Sequence, residues 1–106
     1  MTISALFDLW NEAEKPSVPE FHVVGVALDR FVKAMGDRRL AHVTPSALEE
    51  FEQVLATTPY QKAGQPLHKA GREATVGAIQ RLLRWRDEGG PERAAHAAEL
   101  QRPTIT

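Results

Sequence analysis

"GDRRLAHVTPSALEEF", residues 36–51, packs a helix stop, a charged link and a helix start into one short stretch. Gly36 closes a run of apolar residues spaced by three and four, and glycine readily takes the left-handed backbone that ends a helix. Thr44 carries a hydroxyl suited to an N-cap, Pro45 is preset for a first helical position, and Ser46 with Glu49 offers a second capping register. Leu48, Phe51 and Leu55, with Ala47 and Val54 beside them, then give one helical face, and the helix should end near Thr57-Thr58-Pro59. Glu49, Glu50 and Glu52 either favour the positive end of its dipole or face water. Consecutive carboxylates at a helix start are better explained that way than as an acid/base cluster.

Toward the N-terminus the same period recurs. Ile3, Leu6, Phe7 and Trp10 fall on one stripe of a helix from Thr2 to about Ala13, and Lys15-Pro16-Ser17-Val18-Pro19 interrupts it. A second helix should run from about Pro19 to Met35, burying Val24, Ala27, Leu28, Phe31, Val32 and Met35.

Toward the C-terminus, "PYQKAGQPLHKAG" at 59–71 reads as a loop, longer than helix bundles usually need. A fourth helix follows from about Arg72 to Glu88. Val76, Ile79, Leu82 and Leu83 make its core stripe, and Gly89-Gly90-Pro91 stops it. Trp85 and Trp10 read as packing residues, and Arg86 covers apolar surface with its stem. A short fifth helix spans Glu92 to Leu100, with only Leu100 and Ile105 as large apolar residues to dock it. The expectation is an all-α protein, a single compact bundle of four main helices in residues 1–90. Residues 91–106 form a short helix or linker and a flexible tail.

The 106 residues allow one core rather than two, and an apolar content of 42% with 25% charged residues suits a folded domain. With no cysteine, and with His22, His42, His68 and His96 at spacings that suit no helical ligand pair, neither a metal nor a cofactor is expected. No segment approaches the length of apolar chain that spans a bilayer, and the expected setting is cytoplasmic.

The net charge of −1 hides an arrangement. Residues 1–59 carry five Lys/Arg against nine Asp/Glu. Residues 60–86 carry Lys62, Lys69, Arg72, Arg81, Arg84 and Arg86 against Glu73 alone. A basic island thus lies in an otherwise acidic chain.

The runs "TISALFDLWNEAEKPS", "ALDRFVKAMGDRRLAHVTPSALEEFEQVL" and "EATVGAIQRLLRWRDEGG" occur in an order that resembles the N-terminal core-binding domain of tyrosine recombinases, the phage integrases. The matching positions are Leu28, Phe31, Gly36, Asp37, Leu40, Val43, Thr44, Leu48 and Phe51, with Trp85 and Gly89 near the end, and the resemblance covers roughly residues 2–90. It departs at Gly77 and Ala78, where the family often carries longer polar side chains. The resemblance implies a helical module that clamps one side of double-stranded DNA during integration or excision. Its partners would be a catalytic domain of the same parent chain and other recombinase protomers on DNA.

Lysine and arginine contacts to phosphate supply most non-specific affinity for DNA, so the basic island is where contacts are sought. The candidates are Lys62, His68 and Lys69 from the loop, with Arg72, Arg81 and Arg84 on the fourth helix. Thr75 and Gln80 are candidates for phosphate or base edges, and Arg38 and Arg39 form a second tier. Catalysis is not expected of this chain. The recombinases use arginines, a His-x-x-Arg motif and a nucleophilic tyrosine in a separate domain, whereas no histidine here has arginine three positions on. The sole tyrosine, Tyr60, lies in the loop. A competing reading is a protein interaction module that docks through an exposed Trp85 and the "AAHAAEL" helix.

Overall fold

The computed structural model describes residues 1–59 and 66–100. Five α-helices follow in order: α1 (Ile3–Glu14), α2 (Val18–Met35), α3 (Pro45–Thr57), α4 (Lys69–Asp87) and α5 (Gly90–Leu100), with one turn of 3-10 helix at Leu40–His42. The protein is an all-α bundle, as the apolar spacing implies, and no helix among the described residues is long and apolar enough to cross a membrane.

Local side chains start three of these helices. The hydroxyls of Thr2, Ser17 and Thr44 accept from the backbone N–H of Ala5, Glu20 and Ala47, satisfying donors that a helix start leaves without intrahelical partners. Thr44 and Pro45 act as expected, whereas the Ser46 register is not used. Gly36 ends α2 at φ +84° and ψ 168°, a backbone that glycine alone adopts readily, rather than in the left-handed helical region.

The link 36–43 is built around the N-terminus. Residues Thr2 and Arg39 pair as a short antiparallel bridge, with Ile3 N–H donating to the Arg38 carbonyl (2.9 Å) and Leu40 N–H to that of Met1 (3.0 Å). The Asp37 carboxylate accepts from Ser4 N–H at 3.1 Å, so it caps α1 from across the chain. The charged link of the opening stretch is thereby a clasp on the first helix.

Ile3, Leu6, Phe31, Phe51, Leu55, Ile79 and Leu82 are fully buried, with Trp10 and Val24 beside them. Phe31 and Phe51 meet edge to face with ring centroids 5.0 Å apart, joining α2 to α3. Val32 and Met35, placed in the core from their spacing, are half-buried at its edge.

Helix α4 packs against all four other helices. It differs from expectation in two respects. It begins at Lys69, so Arg72 stands inside its first turns and the preceding link is shorter than it looked. Its buried face consists of Thr75, Ala78, Ile79, Leu82 and Trp85, while Val76 and Leu83 are half-buried at the edge. The stripe is rotated because the small Thr75 and Ala78 allow close approach of α2, which a face chosen by side-chain size overlooks.

Helix α5 also begins earlier than expected, at Gly90. Gly89 makes the turn at φ +82°, and the Arg93 guanidinium donates to the Glu88 carbonyl at the end of α4. Gly90 is buried against the Trp85 indole, and a Cβ there would come within 2.2 Å of the nearest ring atom. The helix then lies along α1, with Ala94, Ala97 and Ala98 facing Leu9 and Ala13, and Leu100 exposed. Ile105 lies outside the described residues.

Candidate nucleic-acid interface

Three of the five described cations of the basic island meet carboxylates of their own chain. Arg81 forms an ion pair with Glu20 of α2, Lys69 lies 3.9 Å from Glu73 one turn along α4, and Arg86 contacts Asp87 at 2.9 Å. Exposed pairs of this kind add little stability, but they reduce the charge displayed to a phosphate backbone. Arg72 is half-buried and donates from Nη1 to the Leu67 carbonyl at 2.7 Å, which secures the entry to α4. Lys62 and Tyr60 lie outside the described residues.

Thr75 requires a correction. Taken as a surface donor, it is 3% exposed, and its Oγ1 donates to the Gly71 carbonyl (2.8 Å) and accepts from Arg30 Nη1 (3.0 Å). A hydroxyl satisfied twice inside the bundle has nothing to offer a base edge. Trp85 is also buried, at 8% exposure, and its Nε1–H donates to Glu14 Oε1 at 2.7 Å. An exposed Trp85 therefore does not provide the docking point of the interaction-module reading.

Gln80 and Arg84 are exposed, but they lie in the groove between α3 and α4 with Glu49, Glu52 and Asp87. Arg81 and Arg84 also border a polar cleft of about 470 Å³ shared with Glu14, Glu20 and Glu88. The C-terminal half of α4 is thus surrounded by acids from three other elements. Its arginines do not form a continuous basic face.

The N-terminal half of α4 has different neighbours. Helices α2 and α4 run antiparallel: Glu20, near the start of α2, meets Arg81, and Arg30, ten residues on, meets Thr75. This brings the later turns of α2 beside the start of α4. His22, Val23, Val26 and Arg30 face Gly71, Ala74 and Thr75 across a shallow cleft of about 210 Å³. Lys33, 70% exposed, stands one turn beyond Arg30 and pairs with Asp29 at 2.9 Å, while His68 and Lys69 are exposed at the α4 start. His22, Arg30 and Lys33 are thus the basic residues that α2 brings to this edge, whereas Lys69 and Arg72, seven and four positions before Val76, continue the α3-facing side of α4.

Arg30, Lys33 and His22 are the residues that sequence reading missed. The signal was present in the three-residue spacing of Arg30 and Lys33 on the side of α2 away from its core stripe, but only pairing with α4 gives it meaning. Arg38 turns its Nε–H onto the Met35 carbonyl at 3.1 Å, and Arg39 is exposed on the link. No group of histidine, aspartate or glutamate able to hold a metal occurs among the described residues. Comparisons with protein-family models, with curated proteins and with solved structures find no match to this chain.

Proposed function

We propose that this chain is a DNA-binding helical module of the kind found in phage-integrase-like tyrosine recombinases, holding duplex DNA while a separate catalytic domain does the chemistry. The order of its sequence motifs supports the family reading. The observation that supports the DNA reading is the α2–α4 edge, where His22, Arg30 and Lys33 of α2 stand beside the small residues Gly71 and Ala74 of α4. Gly71 and Ala74 keep the α4 surface low there, so a phosphate backbone can approach the flanking cations closely.

The test is a fluorescence-anisotropy titration of the 106-residue chain with a labelled duplex at several salt concentrations. Affinity should fall steeply as salt rises, because each phosphate contact releases condensed counterions. Lys33→Ala should weaken binding and lower the salt slope by about 1, whereas Arg84→Ala, in its acidic groove, should change it little. Loss of binding in Arg84→Ala with none in Lys33→Ala would place the interface elsewhere. No binding at low salt would remove the DNA reading for this chain alone.

A further inference from the structure

The groove between α3 and α4 has no partner within the described residues. It is about 490 Å³ in volume, with Leu48, Val76 and Leu83 at its apolar floor and Pro45 at one end. Glu49 and Glu52 rise on the α3 side, and Gln80, Arg84 and Asp87 on the α4 side. Two packed helices with an apolar furrow between them are a surface on which a third helix packs.

The rim of this furrow is mainly acidic. Helix α3 starts at Pro45 and has no acidic residue in its first turn, so Glu49, Glu50 and Glu52 lie beyond the reach of the helix-start dipole that would favour them. Four other acids, Asp29, Glu20, Glu73 and Asp87, meet cations of their own chain, but Glu49, Glu50 and Glu52 enter no ion pair among the described residues. Arg84 is the groove's single cation, against Glu49, Glu52 and Asp87.

We infer that the α3–α4 groove is a docking site for a basic amphipathic helix of a partner protein. An apolar stripe on that helix would cover Leu48, Val76 and Leu83, and lysines or arginines on its flanks would meet Glu49 and Glu52. The charge complementarity selects this occupant: duplex DNA would be repelled by the same acids that lysines or arginines on a partner helix would meet. The inference does not rest on the DNA reading, whose surface lies on the α2 side of α4.

The probe is a synthetic helical peptide with leucines along one face and lysines on both flanks, titrated into the ¹⁵N-labelled 106-residue chain. Amide shifts should centre on Leu48, Glu49, Glu52, Val76, Gln80 and Leu83. Glu49→Lys/Glu52→Lys should weaken the peptide about tenfold, since two rim attractions become repulsions. The control variant Glu50→Lys/Glu99→Lys makes the same change in net charge at exposed positions outside the groove and should leave the affinity within a factor of two or so of the parent. Circular dichroism verifies that both variants fold. Equal loss in the two variants would reduce the interaction to general charge attraction and overturn the proposal. So would shifts centred elsewhere, equal binding of a glutamate-flanked peptide, or the same shifts produced by duplex DNA or by raising the protein concentration without peptide.

Discussion

A threonine enters a helix-bundle core at low cost only if its hydroxyl finds partners, and Thr75 finds two, the Gly71 carbonyl and Arg30 Nη1. Thr75→Val keeps the shape but leaves the arginine without that acceptor, and should cost about 1 kcal/mol in urea unfolding. It should leave the salt slope of DNA binding unchanged, because the side chain does not reach the surface. Gly90 is constrained by a neighbour rather than by its own backbone angles. Gly90→Ala drives a methyl group into the Trp85 ring and should cost about 1–3 kcal/mol. The tryptophan emission should shift as the indole leaves the Glu14 carboxylate. Neither constraint is written in the local sequence, where Thr75 looks like an exposed polar residue and Gly90 like half of a helix stop.

The ends of α1, α2 and α3 follow sequence expectations to within about one residue, because Thr2, Ser17 and Thr44 cap them by local contacts. Thr44→Ala should therefore cost about 1 kcal/mol by chemical denaturation, with Pro45 still favouring the helix start. The start of α4 was not legible in this way. His68 makes no side-chain cap, and Gly71 resembles a breaker although it lies inside the helix. Helix α5 is held mainly by Gly90 against Trp85 and by alanines along α1, so it buries little apolar surface of its own. In native-state hydrogen exchange the α5 amides should exchange well before those of α4, which every other helix covers. Equal protection of the two helices would show that α5 unfolds only with the whole bundle.

At the scale of the whole molecule, a single core joins the helices, and Phe51 is fully buried at its centre against Phe31. Phe51→Ala should cost about 3–5 kcal/mol, out of roughly 5–15 kcal/mol for a domain of this kind. The thermal midpoint should drop sharply, and the variant may be compared with Thr44→Ala to separate core from cap. Charge is also organised at this scale. The basic island is a property of the linear order of residues, and packing sets the C-terminal half of α4 among acids of α1, α2 and α3. The amino-acid sequence by itself determined the helical class, most members of the core on α1 to α3 and the caps that start those helices. Apolar periodicity and capping act over a few residues, so a local reading suffices. Only the tertiary structure decided which face of α4 is buried, which of its arginines meet acids of other helices, and that Asp37 caps a helix more than thirty residues away. These depend on which side chains meet across the bundle, and contacts between elements leave no local period to read.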